Sequence, residues 1–208
     1  MTTPKAKLAG LALIAARCGR FILGLMAPAW TGFYKGVAAY NRGDYATAIR
    51  ELRPLAERGL AEAQLKLGLM YYKGLGVPQD HAEAMKWYSK AAEQGNAKAQ
   101  SYLGLMYYNG WGVPQDFAKA VKWFRKAAEQ GDTGGQYNLG GMYYNGHGVP
   151  QDYVQAHMWY NLVASQDGKA AAKLRDMVAE RMTPAQISEA QKLAREWRPK
   201  KGITLDPQ

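Results

Sequence analysis

Apolar positions along this chain fall into two alternating helical rhythms. Between Ala61 and Lys73 they come at Leu65, Leu69 and Tyr72, and again at Ala63, Leu67, Met70 and Tyr71. Both series step by three and four, the spacing that returns to one side of an α-helix. A helix apolar around so much of its circumference is one buried between neighbours. After a short break the rhythm resumes at Ala84, Trp87, Tyr88, Ala91 and Ala92, which predicts a second helix over His81 to Gln94 and buries those five side chains. The break reads Gly74-Leu75-Gly76-Val77-Pro78-Gln79-Asp80. Glycine takes the left-handed conformation that closes a helix, and proline pre-sets an extended turn. Asp80 is placed to cap the second helix by accepting a backbone N–H.

This arrangement returns twice at a spacing of 36 residues: Gly68, Gly104 and Gly140; Pro78, Pro114 and Pro150; Trp87, Trp123 and Trp159. A fixed period of this length is one helix pair copied and stacked, in which no copy buries its apolar face alone. The copies occupy residues 61–96, 97–132 and 133–168. Gly68 costs about 1 kcal/mol against alanine inside a helix, so its return in each copy predicts a neighbour too close for a side chain. A shorter unit, 32–60, precedes them: Gly59 lies 36 residues before Gly95, but Gly36 only 32 before Gly68, so four loop residues are missing. Past residue 168 the pattern stops. Ala170 to Met182 reads as one helix, and Thr183-Pro184-Ala185-Gln186 opens another, with threonine at the cap and proline at the first helical position. These two helices, over 169–197, are expected to shield the last copy from water. Residues 198–208 read as a disordered tail.

The recurring residues Ala63, Leu67-Gly68, Met70-Tyr71, Gly74, Gly76-Val77, Asp80, Ala84, Tyr88, Ala91-Ala92 and Gly95 resemble the Sel-like repeat (SLR) subfamily of the tetratricopeptide-like repeats. The tight first unit resembles an ordinary tetratricopeptide helix pair. Together the two resemblances cover roughly residues 33–168. The fold class expected is therefore all-α: a right-handed α-solenoid of stacked antiparallel helix pairs with C-terminal capping helices. The resemblance also implies a role in assembling or regulating other proteins, often in the bacterial cell envelope. Some cysteine-rich secreted relatives are associated with β-lactam binding or hydrolysis. They are stapled by paired cysteines, whereas Cys18 is the single cysteine here, so that association does not carry over.

Charge and chemistry narrow the picture further. The formal charge is +10, but the first 29 residues hold Lys5, Lys7, Arg17 and Arg20 and no acid, leaving about +6 on the remainder. That is a mild excess, which favours an acidic partner without demanding one. The same N-terminal stretch has a basic start, apolar runs at Leu8 to Ala16 and Phe21 to Ala29, and small residues at Ala27-Pro28-Ala29. It reads as a secretory signal peptide over 1–31, cleaved near Ala29 to Thr31, which places the protein in the periplasm or outside the cell. Arg17 and Arg20 interrupt the apolar run. The alternative is an uncleaved amphipathic helix packed on the repeats or lying at a membrane surface, with the chain then cytoplasmic. A stable membrane span is disfavoured by two arginines near its centre.

No catalytic motif is present: there is no Gly-x-Ser-x-Gly, no phosphate-cradling Gly-x-x-x-x-Gly-Lys and no His-Glu-x-x-His. His81, His147 and His157 have no pair at ligand spacing, so neither a metal nor a cofactor is expected. No aromatic-interleaved basic patch points to nucleic acid. The expected function is a non-catalytic adaptor that binds a protein or peptide segment in the solenoid groove. The alternative, from the many tyrosines and tryptophans, is a carbohydrate- or cell-wall-binding module.

Positions that differ between copies are the candidates for recognition. The loop residue between the two glycines is Leu75, Trp111 or His147, and exposed loops that vary on a fixed scaffold often carry recognition. Tyr72, Tyr108 and Tyr144 are candidates for a tyrosine-rich inner groove. Lys86 and Lys90 correspond to Lys122 and Lys126 but become Met158 and Leu162, so the first two copies carry a candidate acid-binding stripe at Lys86 and Lys122. In the last copy that face is expected to be covered by the capping helices. The third copy also places Gly134, Gly135 and Gly141 within its first helix, where the others have Glu62/Lys98, Ala63/Ala99 and Leu69/Leu105. That substitution costs roughly 2–3 kcal/mol of helix propensity. Either the unit is locally loose or something approaches its backbone closely.

Overall fold

The computed structural model describes residues 23–166 and 169–200. These residues form ten helices and no strand: α1 Leu23–Asn41, α2 Tyr45–Glu57, α3 Ala61–Lys73, α4 His81–Glu93, α5 Ala97–Asn109, α6 Phe117–Glu129, α7 Thr133–Asn145, α8 Tyr153–Ala164, α9 Lys169–Ala179 and α10 Pro184–Glu196. From α1 through α9 each helix packs on the next, which makes the architecture an all-α solenoid of helix pairs. In each of the first four pairs the odd-numbered member is helix A and the even-numbered member helix B. The last helix, α10, folds back onto α8.

The turn chemistry acts as its residues require. Gly74 closes α3 at φ +69°, and Gly110 and Gly146 close α5 and α7 at +71° and +69°. Asp44, Asp80, Asp116 and Asp152 each accept a backbone N–H from the residue three further on, at 2.9–3.1 Å. Such caps contribute about 1 kcal/mol each. The α1–α2 loop is shorter than the loops inside the three later pairs, which accounts for the missing loop residues.

Inside each pair the recurring glycine meets the central side chain of its own helix B. A Cβ at Gly104 would lie 2.5 Å from Phe124 Cδ1; at Gly68 it would lie 2.8 Å from the ring of Tyr88, and at Gly140 2.9 Å from that of Tyr160. The predicted close neighbour is therefore the partner helix. Between pairs a glutamine ladder satisfies the buried polar groups. Gln64 Nε2 donates to Ala56 O at 3.0 Å and Gln94 Nε2 to Gln64 Oε1 at 2.7 Å. Gln100, Ala92 and Gln130 repeat this at 3.1 and 2.7 Å. In the third copy Gln136 still reaches Ala128 O, but its Oε1 has no partner.

Three sequence expectations need correction or detail. Of the five side chains predicted to be buried in helix B, Trp87 is only half-buried, with Lys90 Nζ 4.5 Å above its ring; Trp123 and Lys126 repeat that contact. Trp159, where leucine replaces the lysine, is buried against α10 and packs edge-on to Trp197 at 6.2 Å. Met158 and Leu162 join that cluster with Ala190, Leu193 and Ala194, so the cap covers the face that turns apolar, as expected. The start of the tail is tied down: Lys200 N donates to Glu129 O at 2.7 Å and its Nζ pairs with Glu129 at 3.0 Å. Residues 201–208 lie outside the described residues, as do residues 1–22 of the expected signal segment. The candidate cleavage region falls within α1, whose residues Phe33, Val37 and Tyr40 pack on the core of the first pair.

Candidate functional site

The varying loop residues turn inward. Trp111 stacks on His81 at 5.7 Å and 16° and lies 5.5 Å from Tyr72, both in the preceding copy. His147 does the same one copy later, stacking on Phe117 at 4.7 Å with Tyr108 6.3 Å away. Leu75 packs in the core of the first pair. The second loop glycine explains why the loop can come so close: a Cβ at Gly112 would sit 2.6 Å from the His81 carbonyl, and one at Gly148 2.5 Å from that of Phe117. Tyr72, Tyr108 and Tyr144 are half-buried in the same joints. At the last joint no further loop arrives. Arg181, at the end of α9, takes its place, with its guanidinium 5.4 Å from the Tyr144 ring and Nη1 3.4 Å from the Tyr153 hydroxyl. The structure thus brings Leu75, Trp111, His147 and the three tyrosines into joints between copies.

The lysine candidates lie apart from these, on the helix-B surface. Lys86 is exposed and paired with Glu83 one turn earlier. Lys122 is exposed too. An exposed ion pair of this kind contributes little to stability.

A different set of varying residues stays at least partly accessible, Ser101 excepted. On the helices A, the positions at Glu62, Leu65, Lys66, Leu69 and Lys73 become Lys98, Ser101, Tyr102, Leu105 and Asn109, then Gly134, Tyr137, Asn138, Gly141 and Asn145. Counted back from Gly36, the same positions in α1 are Trp30, Phe33, Tyr34, Val37 and Asn41. The steps of three, one, three and four keep all five on one face of each helix. Of the four large hydrophobic residues exposed among the described residues, three belong to this stripe: Trp30, Tyr34 at 65% and Tyr137 at 39%. In α3, α5 and α7 the framework positions (Gln64, Leu67, Met70 and their 36-residue counterparts) are unchanged and buried.

Between α5 and α7 the stripe opens into a hollow of about 300 Å³, lined by Lys98, Ser101, Tyr102, Leu105, Asp132, Gly134 and Asn138. A second, of about 180 Å³, adjoins it at Asn138 and lies beside Gly141, Tyr137 and Tyr160. Tyr102 is held by parallel stacking on Tyr88, 4.9 Å apart and 8° from coplanar. Burial raises the Tyr102 hydroxyl above the usual tyrosine range, and the Asp132 carboxylate adds to the effect. Burial raises Tyr160 further, to about 12, so both hydroxyls stay neutral donors. Among the described residues no cluster of three or more histidine, cysteine or acidic groups could hold a metal, and no helix is long and apolar enough to cross a membrane.

Set against known proteins, the chain matches the Sel1 repeat family at residues 61–96, 97–132 and 134–168. Among solved structures it is similar to a protective antigen present in uropathogenic Escherichia coli strains that displays an SLR fold, at 34% identity over 81% of this chain with a TM-score of 0.76. This chain covers 37% of that antigen's length. It is also similar to a Sel1 repeat protein from Oxalobacter formigenes, at 32% identity over 78% of this chain and 74% of the other, with a TM-score of 0.61. No curated protein matches it.

Proposed function

This chain belongs to the Sel1 repeat family, whose members are in general non-catalytic protein-interaction scaffolds, and we propose that it is an adaptor whose helix-A stripe binds an extended protein segment. The observation that carries this reading is where the copies differ. Varying side chains in the loops are consumed by joints with the neighbouring copy. The stripe also touches the preceding copy, through Lys66 and Tyr102, but it stays exposed at Trp30, Tyr34 and Tyr137 and lines two open hollows. A rigid stack that holds these side chains in place before binding has little ordering cost left to meet. Photocrosslinking in bacterial cells tests it: a photoreactive side chain at Tyr102 or Tyr137 should trap one protein, and the same group at Lys86 or Lys122 should not. Crosslinks confined to the lysine face would overturn the assignment.

We further propose that the adaptor works in the cell envelope, on the basic-then-apolar pattern of residues 1–29. Cleavage after Ala29 would keep Phe33, Gly36, Val37 and Tyr40, the side of α1 that packs on the first pair. N-terminal sequencing of the protein recovered from the periplasm should begin near Trp30. Recovery of the intact N-terminus from the cytoplasm would defeat this placement.

A further inference from the structure

We infer that the hollow between α5 and α7 is a subsite for one aromatic side chain of the bound segment, with an acidic residue of that segment beside it. The inference rests on the stripe being the binding face, and it comes from asking what each glycine of α7 is for. Gly135 is required by packing: a Cβ there would lie 2.6 Å from Ala127 Cβ and 2.8 Å from Ala128 N. Gly141 is not, since a Cβ would find only the Tyr160 hydroxyl at 3.4 Å, an ordinary contact. Gly134 is constrained less severely than Gly135: a Cβ would meet Ser101 Oγ at 3.1 Å and Asp132 Oδ1 at 3.2 Å, tight contacts that shifts of a few tenths of an ångström in those side chains would relieve. A glycine in the first turn and another in the interior, neither facing a backbone that excludes a side chain, are an unfavourable choice for the helix alone. At the same positions the second copy carries Lys98 and Leu105. Their absence from the third copy leaves the main hollow open at Gly134 and the adjoining one open at Gly141.

The shape and lining of that space select the guest. At about 300 Å³ it is at the lower end of ligand pockets, suited to one side chain and too small for a nucleotide cofactor. Its aromatic wall is Tyr102, clamped on Tyr88, and across Asn138 the adjoining hollow adds Tyr137, which leans edge-on against Tyr160 at 5.8 Å. Ring faces held this way favour a flat side chain stacked or set edge-on between them. Asn138 turns its Nδ2 back to Gly134 O at 2.8 Å, so its Oδ1 remains an acceptor for the guest's backbone or ring edge. Along the stripe of α3 and α5, Lys66, Lys73 and Lys98 stand against Glu62 alone. Of the two charged groups lining the hollow, Asp132 is engaged as the cap of α7, accepting from Gly135 N at 2.8 Å, which leaves Lys98 to meet an acidic neighbour on the guest.

The test is selection of short random linear peptides, displayed on phage, by the full chain and by a Gly134→Lys/Gly141→Leu variant that takes the second copy's residues. The unmodified chain should enrich peptides with Phe, Tyr or Trp next to Asp or Glu. The filled variant should bind those peptides at least about tenfold more weakly while melting no lower. Should the variant melt lower, Tyr137→Ala, at an exposed position, carries the same comparison. Equal binding by the filled variant and by Tyr137→Ala would overturn the subsite and leave the stripe reading intact. Peptides that bind but compete with nothing on the stripe, or no peptides at all with retention on purified peptidoglycan instead, would overturn both.

Discussion

The loop row and the helix-A stripe vary to a similar degree between copies, yet they have different fates in the fold. Leu75, Trp111 and His147 differ as much as Lys66, Tyr102 and Asn138 do. Each loop residue is matched to a preceding copy that differs along with it: Trp111 to His81, His147 to Phe117. That is covariation inside a joint, and it concerns stability. Stripe residues touch the adjacent copy too, Lys66 over Tyr40 and Tyr102 on Tyr88, but these contacts leave open hollows beside them, so part of their variation is free to follow an external partner. Variation between copies therefore marks recognition where the neighbouring copy leaves the varying side chain partly open.

The largest effects should come from disturbing the joint. Gly112→Ala forces a Cβ to within 2.6 Å of the His81 backbone at a φ of +71°, and should cost about 3 kcal/mol or more in urea unfolding. Gly134→Ala on the stripe should be neutral or stabilise by up to about 1 kcal/mol. Equal losses at the two sites would erase the distinction between the regions. Next come the aromatic residues. Trp111→Ala removes a half-buried ring from between two others and should cost about 2 kcal/mol, whereas Tyr137→Ala should cost about half that or less. Thermal melts compare the two directly.

The smallest effect lies in the cap, which stands in for a missing copy. His157 is buried in α8 with its Nδ1 unpartnered; burial, and then the charge of Arg175, hold its pKa below the ordinary 6.5, with Asp176 opposing. The unfolded chain takes up the proton first as pH falls, so stability is complete above about pH 6.5 and declines below it. The melting temperature should drop between pH 7 and pH 5, and His157→Met, the residue found at position 85, should flatten that slope. A slope unchanged by the substitution would move the titration elsewhere.

Much of this molecule was legible in its sequence. Helix bounds at Ala61 and Lys73 and the caps at Asp80 and Gly74 follow from local rules, because each depends on residues within one or two turns, and the close approach at Gly68 follows from the return of glycine in each copy. The recognition stripe was hidden by its own composition. Leu65 and Leu69 read as part of an apolar circumference, and spacing alone does not separate a side that faces a neighbour from one that lines a groove. Position-by-position comparison at Lys66, Tyr102 and Asn138 held the missing signal. The loop residues misled for the opposite reason: Tyr72 and His81, which enclose Trp111, lie in another copy, and no local pattern reports that contact. Of the α7 glycines, Gly135 follows the close-approach expectation and Gly134 and Gly141 the openness of a groove, a division that only coordinates supply.

Arg181 completes the last joint by reaching over Tyr144 as a loop residue would. A joint that accepts tryptophan, histidine or an arginine from an unrelated helix places no demand on how many copies precede it. Loss of residues 97–132 would bring His147 onto Tyr72 and His81, a pairing made of parts already in use. The length of such a chain can drift by whole copies over evolutionary time with every seam intact, and each copy gained or lost rewrites part of the stripe. Specificity and length are thus inherited as a single trait.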